Sequence, residues 1–495
     1  MWITGADEEE DNFKPDYEAG LAKAKEVQEL FDKRVEEIKT APNGKFETKG
    51  NTYYVSSSTG NDSNSGTSPE APFATAKKAS AAASNDDIVL FKRGDMWRET
   101  WETTAGVTYS AYGEGEKPVF NGNSLGDLAD ESKWTLLEGT TNIWKLSEKT
   151  TDIGNIIING GEKTFEKIAP KLSGTRYLID NTPVELKDMF SKDETFVSIY
   201  KEVVNSSADI NSKTSDLYVR CDAGNPGKIY DSIEVAHRGS IIRVNSNCTI
   251  DNIKLLYTGG HGIGMGTVNN VKFTNLEIGW IGGCVQLINA NGSLTRYGNG
   301  IEVYGGCNGY TVENCYIYQC YDAGVTHQYS GGGTNPVSEE NVYFTNNVID
   351  KCIYNIEYFM GKADSADVKR VMKNINYKNN LLARSGFGWG ASPTRSASIK
   401  GWEMSYNESY GFVIENNIFF MDRFNACDLG SGSAVWLPKF KGNTYIQKYG
   451  NSFTKIGANG NKQYMFNGKA AEILQKNIGE TEAKLFYIPA ETEIK

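Results

Sequence analysis

The chain has 495 residues, a formal net charge of −11 and a pI near 5.1. This acidic balance disfavours nucleic acid and anionic membranes as partners, because both need a basic surface on the protein. The sequence contains no apolar run of about 20 residues, so we expect no transmembrane helix.

The first predicted element is an amphipathic helix over 16–39, which ends before Pro42-Asn-Gly44. This helix either packs on the rest of the chain or docks a separate subunit or domain. We therefore predict a helical segment at 1–49, a main domain at 50–480 and a tail at 481–495. The acidic start of the chain does not resemble a signal peptide, and we expect a secretion signal to have been removed or to be carried by a partner.

Short strands are predicted at 53–56 and 87–95, on either side of an alanine-rich helix over 75–83. A further helix is predicted near 470–475. Both helices would cover the open hydrophobic ends of a repetitive fold. The less regular stretch 124–235 is interpreted as an elaboration within the early repeats.

Six asparagines share one local frame, each two residues after an apolar residue and three before another. They are Asn252, Asn275, Asn314, Asn346, Asn379 and Asn416. Asparagine suits a tight bend because it tolerates the left-handed region, and copies in neighbouring coils can form a ladder of amide hydrogen bonds. The repeat predicts an all-β fold, a coiled parallel solenoid. Longer intervals between copies predict inserted loops that wall a cleft on one face.

Eight cysteines are present, and four of them fall within or beside the repeated strands: Cys248, Cys315, Cys320 and Cys352. We interpret these as small core residues rather than as a disulfide framework. No HxxxH, CxxC pair or EF-hand spacing appears, so we predict no cofactor and no protein-encoded metal site. A calcium ion at the surface remains compatible with the sequence.

Strand alternation selects the candidate catalytic carboxylates. With Ile301 and Ile356 pointing inward, Glu302 and Glu357 point outward from nearby coils, and Asp322 enters the strand between them. Paired carboxylates at such spacing suit glycoside hydrolysis. The alternatives are solvated strand residues for the glutamates and a turn aspartate for Asp322.

A reserve pair, Asp422 and Asp428, lies in a late coil, with an ion-paired turn as the alternative. His327 and Gln328 are candidate sugar contacts or, for His327, a general base; a structural histidine is the alternative. Candidate stacking residues for sugar rings are Tyr304, Tyr358 and Trp389, followed by Trp280, Trp402 and Trp436.

The segments 54–56, 72–75, 95–98 and 111–118, with the asparagine coils, resemble secreted bacterial right-handed β-helix proteins. These are mostly glycoside hydrolases and polysaccharide lyases, and the resemblance covers about residues 50 to 480. Among the hydrolases the chain is most similar to the lacto-N-biosidase type, whose β-helix is accompanied by an all-α segment. The resemblance implies a right-handed single-stranded parallel β-helix, an extracellular or cell-surface location, an oligo- or polysaccharide substrate and a separate all-α subunit as partner.

The favoured function is therefore that of a glycoside hydrolase. A polysaccharide lyase is the first alternative, although the arginines and lysine considered for its cation do not fall on the aligned central strands: Lys369, Arg370, Arg384, Arg395 and Arg423. A glycan-binding solenoid without enzymatic activity is the second alternative.

Overall fold

The computed structural model describes residues 13–174, 176–331, 333–361, 363–365, 367–390, 395–404, 408–430, 437–457 and 462–494. The acidic run at 8–11 and Trp436 lie outside these residues. The chain forms two compact units, which we call the early unit (Lys39–Tyr304 and Ile317–Thr326) and the late unit (Met1–Ile38, Gly305–Tyr316 and His327–Lys495).

Parallel strands form three sheets in the early unit, and each coil visits the sheets in the same order. The first sheet contains Thr52–Val55, Ile88–Lys92, Thr108–Tyr112, Thr249–Asp251 and Val268–Thr274. The second contains Met96–Trp97, Val119–Asn121, Lys254–Thr258 and Glu277–Ile281. The third contains Trp101–Glu102, Ile242–Arg243, Ile263–Met265 and Ile301–Tyr304.

The late unit repeats this arrangement. Its first sheet contains Cys307–Glu313, Val337–Thr345, Arg370–Lys378, Glu408–Glu415 and Lys439–Lys441. Its second contains Val348–Asp350, Leu381–Ala383, Ile418–Phe420, Thr444–Lys448 and Lys484–Ile488. Its third contains Tyr354–Met360, Ala397–Met404, Asn425–Leu429 and Ser452–Ile456, with Lys462–Met465 added antiparallel. Two further strands, Tyr316–Cys320 and Ala323–Tyr329, contribute residues to both units.

This strand order confirms the predicted fold class, an all-β right-handed parallel β-helix with accompanying helices. The irregular stretch 124–235 is an elaboration of the early unit, as predicted, with its own apolar clusters. Its strands are Trp134–Leu136, Ile143–Leu146, Ile153–Ile158, Lys163–Lys167, Lys171–Ser173, Arg176–Ile179, Thr182–Pro183, Thr195–Tyr200, Ser215–Arg220 and Ile233–His237. The short helices Ser207–Ser212 and Pro226–Ile229 and the hairpin Val285–Ile288 with Leu294–Arg296 complete the early unit.

The N-terminal helix, Tyr17–Lys39, packs on the second sheet of the late unit. Its apolar face contributes Ala24, Val27, Phe31 and Ile38 to one cluster with Val348, Leu381, Phe420, Ile446 and Ile488. The packing interpretation thus accounts for the helix's apolar face, and the separate all-α subunit stays a prediction. The strand Lys484–Ile488 continues the same sheet, although it was predicted to lie in a C-terminal tail.

Two further helices lie near the ends of the coils. Ala76–Ala82 covers the aromatic core at the start of the early unit, where Ser80 Oγ lies 3.0 Å from Tyr109 Oη. Ala470–Ile478 buries Ala470, Leu474 and Ile478 in the late unit. None of the described helices is both long enough and apolar enough to cross a bilayer.

The six repeated asparagines all adopt a left-handed backbone, with φ between 52° and 60°. This confirms the predicted bend, which lies between the first and second sheets. The amide ladder, however, is formed by the following residue in the late unit, so the predicted ladder position is wrong by one. Asn347, Asn380, Asn417 and Asn443 are fully buried, and each donates from Nδ2 to the side-chain oxygen of the next member at 2.9–3.1 Å. The last acceptor is Glu480, just after the C-terminal helix.

All eight cysteines are buried free thiols. The interpretation of Cys248, Cys315, Cys320 and Cys352 as core residues is confirmed. Burial raises the pKa of the Cys248 thiol, which suits an unreactive core position.

Candidate functional site

The outer face of the third sheet in the early unit carries a row of one residue per coil. Register places Glu102 beside Arg243, Arg243 beside Gly264 and Gly264 beside Glu302. The row exists because each strand buries the preceding residue, so the residue that follows lies on the outer face.

Strand Ile301–Tyr304 orients Glu302 as the sequence predicts. Ile301 and Val303 are fully buried, Glu302 keeps 12% of its side-chain surface exposed and Tyr304 is 43% exposed. Glu302 and Tyr304 therefore share the outer face, where a carboxylate and an aromatic ring can meet the same sugar.

Two side chains hold the Glu302 carboxylate in place. Asn299 Nδ2 donates to Glu302 Oε2 at 2.6 Å, and His261 Nδ1 lies 2.9 Å from the same oxygen. The backbone N–H of Asn299 is also 3.1 Å from His261 Nδ1. One nitrogen cannot serve both contacts, so the proton on His261 decides whether it donates to Glu302 or accepts from Asn299.

Asn299 also fixes the backbone next to Asp322. Its Oδ1 accepts from Ala323 N–H at 2.8 Å, and Asp322 N–H donates to Gly298 O at 3.1 Å. These bonds bring Asp322 to the turn that precedes Glu302. One amide thus links the Glu302 carboxylate to the backbone directly after Asp322.

Tyr297 packs beside this site. The His261 ring lies 5.0 Å from the Tyr297 ring, and the Arg238 guanidinium lies 5.5 Å above it. Burial raises the pKa of Tyr297 to about 12, so its hydroxyl stays protonated near neutral pH. Tyr297 is suited to supporting His261 rather than to acting as a base.

A cleft of about 550 Å³ opens on the same face of the early unit. It is lined by the helix Ala76–Ala82 and by residues of the third sheet, among them Trp101, Glu102, Ser240, Arg243 and Asn245. Sequence reasoning missed His261, Asn299 and Arg243. Because Arg243 follows the buried Ile242, strand alternation predicts that it lies on the outer face. Its alignment with Glu302, however, is known only from the register of the strands in the structure.

Glu357 belongs to a second row, on the third sheet of the late unit. Register places it beside Lys400, which lies beside Asp428. Lys400 Nζ is 2.8 Å from Asp428 Oδ2 and 3.7 Å above the Trp402 ring, while Trp402 Nε1 donates to Glu357 Oε1. Burial lowers the pKa of Lys400, and the Asp428 carboxylate opposes that shift.

The structure corrects the predictions for His327 and Tyr358. Both side chains lie in the core of the late unit, where their rings are 6.1 Å apart. His327 bonds Glu339 at 2.6 Å and Tyr377 Oη at 2.5 Å. Neither residue can contact a sugar, because both follow an inward residue by two positions and therefore also point inward. His327 is the structural histidine of the alternative interpretation.

The reserve pair is also wrong as a catalytic pair. Asp422 is buried and accepts hydrogen bonds from Ser385, Ser398 and Gln447, whereas Asp428 bonds Lys400 on the outer face. The Asp422 carboxylate is enclosed by these partners in the core, so it cannot meet a substrate together with Asp428. Burial raises the pKa of Asp422 to about 6.

The structure contradicts one of the remaining predicted sugar contacts and leaves three of them as predictions. Trp280 is buried, and its ring packs closely against Gly161, so the prediction of sugar stacking there is wrong. Gln328 is 7% exposed, and Trp389 is partly buried and lies in a turn. Sugar contacts by Gln328 and Trp389 stay predictions, as does stacking at Trp436.

Within the described parts of the chain, no group of three or more His, Cys, Asp or Glu side chains is arranged to hold a metal ion. The expectation that the protein needs no cofactor stays a prediction.

Comparison with known proteins gives one curated relative and several solved structures, while no protein-family model matches the chain. Lacto-N-biosidase from Bifidobacterium longum subsp. longum is 37% identical over 91 residues, which is 16% of this chain and 6% of that protein. The chain therefore matches only a small part of that relative's length.

The solved structures resemble the chain over most of its length at low identity. A structure described as a glycoside hydrolase has a TM-score of 0.45 at 8% identity, over 90% of this chain and 97% of the other. XylC with xylose has a TM-score of 0.39 at 12% identity, over 88% and 82%. The lacto-N-biosidase of Eubacterium ramulus has a TM-score of 0.34 at 12% identity, over 94% and 70%. The resemblance stated from the sequence, to β-helix carbohydrate-active enzymes, recurs in these comparisons.

Proposed function

We propose that this chain is a glycoside hydrolase whose catalytic carboxylates are Glu302 and Asp322. The observation that most supports this proposal is the side-chain amide of Asn299. Its Nδ2 donates to the Glu302 carboxylate, and its Oδ1 accepts from the backbone N–H of Ala323, the residue after Asp322. Glycoside hydrolysis generally needs two carboxylates in a fixed relation across the scissile bond. Asn299 holds the Glu302 carboxylate and the backbone that follows Asp322, which supports a fixed relation between the two residues.

The contacts of Glu302 support a proposed role for each carboxylate. An ionised carboxylate only accepts hydrogen bonds, and Asn299 donates to Glu302 while His261 is placed to do so. Glu302 is therefore the nucleophile or base, which must act as an anion. Asp322 is then the acid that protonates the leaving oxygen.

The substrate is proposed to be an oligo- or polysaccharide outside the cell or at its surface. The exposed ring of Tyr304 beside Glu302 supports a sugar ligand, because an aromatic face packs well on a pyranose. The matched segment of a lacto-N-biosidase supports activity of that kind. For such an activity we propose host or milk glycans as the substrate. Glu357 remains a proposed additional carboxylate.

A polysaccharide lyase is the second candidate, favoured by Lys400. Its lowered pKa and its place beside Trp402 on the outer face suit a base that abstracts a proton from a uronate sugar. Product masses separate the two reactions, because hydrolysis adds one water and elimination adds none.

The test is turnover of a panel of neutral and uronate oligosaccharides, read by mass spectrometry. We expect products that carry one added water, and we expect Glu302→Gln and Asp322→Asn to slow turnover by at least about a hundredfold. Glu166→Gln is the matched control, since Glu166 forms an ion pair with Lys192 on the surface of the elaboration. Full activity in both variants would overturn the proposal, and binding without products would favour a non-enzymatic glycan-binding solenoid.

A further inference from the structure

The cleft beside the candidate site contains an arginine that forms no ion pair with any described residue. Arg243 is exposed, and no carboxylate of the described residues lies within 4.0 Å of its guanidinium. Glu102, its neighbour in the row, instead accepts a hydrogen bond from Asn245 at 3.1 Å. Arg243 therefore keeps its full set of donors available to a ligand.

The row between Arg243 and Glu302 carries no side chain of its own, and only Ser240 lies within 4 Å of the Cβ position at its middle residue. Gly264 lies between them in register, and it has no Cβ to fill the floor of the row. Strands in a sheet are about 4.8 Å apart, so the backbones of Arg243 and Glu302 are about 10 Å apart. A group that binds Arg243 therefore belongs to a sugar that neighbours the one attacked at Glu302.

We propose that Arg243 binds an anionic substituent, a carboxylate or a sulfate ester, on a sugar adjacent to the cleaved unit. The proposal rests on the proposed function for the position of the cleaved bond. A guanidinium matches the paired oxygens of such a group with two parallel hydrogen bonds. The wall of the cleft adds a second cation, Lys77, on the helix Ala76–Ala82.

The charge of the whole chain narrows the substrate class. A net charge of −11 repels a polyanion at long range, whereas one arginine in a cleft acts on a single group at short range. The substrate is therefore a glycan with isolated negative charges rather than a uniformly charged polymer.

The test is calorimetric titration of the full chain carrying Glu302→Gln, with and without Arg243→Gln. The probes are a glucuronate-containing disaccharide and its methyl ester, and a sulfated disaccharide and its unsulfated parent. We expect Arg243→Gln to weaken the charged probe about ten- to a hundredfold and to change the neutral probes by less than about twofold. Arg176→Gln, at another exposed arginine with no ion pair among the described residues, should change no probe.

The outcomes separate this proposal from the hydrolase itself. The pair of probes that responds to Arg243→Gln identifies carboxylate or sulfate as the ligand. Equal affinity for charged and neutral probes, equal weakening of both, or no binding of any probe overturns the proposal. A charge preference that depends on Arg243 supports it even if Glu302→Gln leaves turnover intact, a result that would contradict only the hydrolase.

Discussion

Asn299 and Glu302 form a hydrogen bond of 2.6 Å in which the amide donates to the carboxylate. The other end of the same amide accepts from Ala323 N–H, so its orientation is fixed by both partners. Asn299 is almost fully buried and does not face the substrate. It is a positioning residue for the Glu302 carboxylate and for the backbone next to Asp322.

Replacing this amide by a carboxylate tests that role. Asn299→Asp retains the acceptor for Ala323 N–H but places a second negative charge against Glu302. Like charges raise each other's proton affinity, so we expect the acidic limb of the kcat/KM profile to move to higher pH while KM changes little. The free energy of unfolding should fall by about 1–3 kcal/mol in Asn299→Ala, which leaves Ala323 N–H unpaired. An acidic limb that does not move in Asn299→Asp would count against the positioning role.

The asparagine ladder predicts opposite outcomes at two adjacent positions. Asn380→Ala removes bonds to Asn347, Asn417 and Phe344 from a buried site, so we expect it to lower the free energy of unfolding by about 3 kcal/mol or more. Asn379→Gly should cost less than about 1 kcal/mol, because glycine adopts the left-handed backbone of that exposed bend freely. Urea unfolding of both variants measures the difference. Equal losses would contradict the separation of bend from ladder.

The raised pKa of the buried Asp422 carboxyl predicts that the stability of the fold depends on pH. Its folded pKa of about 6 lies above the usual value of 3.8, so the folded state holds this proton more tightly than the unfolded state. The stabilisation is fully present below about pH 4 and is lost as pH rises through about 6, a change of about 3 kcal/mol. Asp422→Asn should remove this dependence. Urea unfolding of both proteins at several pH values checks it, and parallel curves would rule the assignment out.

We predict that a large side chain in place of Gly264 would block the row between Arg243 and Glu302. A Cβ there would meet only Ser240, with Oγ at 3.0 Å, and that hydroxyl can rotate away. Gly264→Gln should therefore raise KM about tenfold or more while the free energy of unfolding changes by less than about 1 kcal/mol. Gly264→Ala is the control for the backbone alone. An unchanged KM in Gly264→Gln would show that the substrate does not cross this row.

The period of the coils could be predicted from the sequence because a left-handed bend needs a small set of residues. Asn379 and its equivalents mark that bend. The ladder was assigned to the wrong asparagine because the pattern does not show which of two adjacent amides turns inward. Asn380 does so, since its neighbour takes up the left-handed turn and points outward.

Strand alternation predicts which side chains of the candidate site lie on the outer face. Counting by two from the inward Ile301 places Val303 inside, so Glu302 and Tyr304 fall on the outer face, and the structure agrees. The same count from Val325 and Ile356 places His327 and Tyr358 inside. This inward position is the reason why the sugar contacts predicted for these two residues are wrong.

The partners of Glu302 were beyond sequence reasoning. His261 lies 41 positions before Glu302, on the preceding coil of the early unit. The hairpin Val285–Ile288 with Leu294–Arg296 is inserted between them, so the sequence spacing does not show that they meet. Arg243 reaches the same row only through two register pairings. Pairing between coils is set by packing of whole strands, which local sequence does not encode.

The most direct test of the account is product mass from glycan cleavage in heavy-oxygen water, by the unaltered chain and by Glu302→Gln. We predict that each cleavage by the unaltered chain incorporates one labelled oxygen. Glu302→Gln should be slower by at least about a hundredfold, and Glu166→Gln should match the unaltered chain. Products without the label, or undiminished labelled product from Glu302→Gln, would contradict the assignment of Glu302 as the hydrolytic carboxylate.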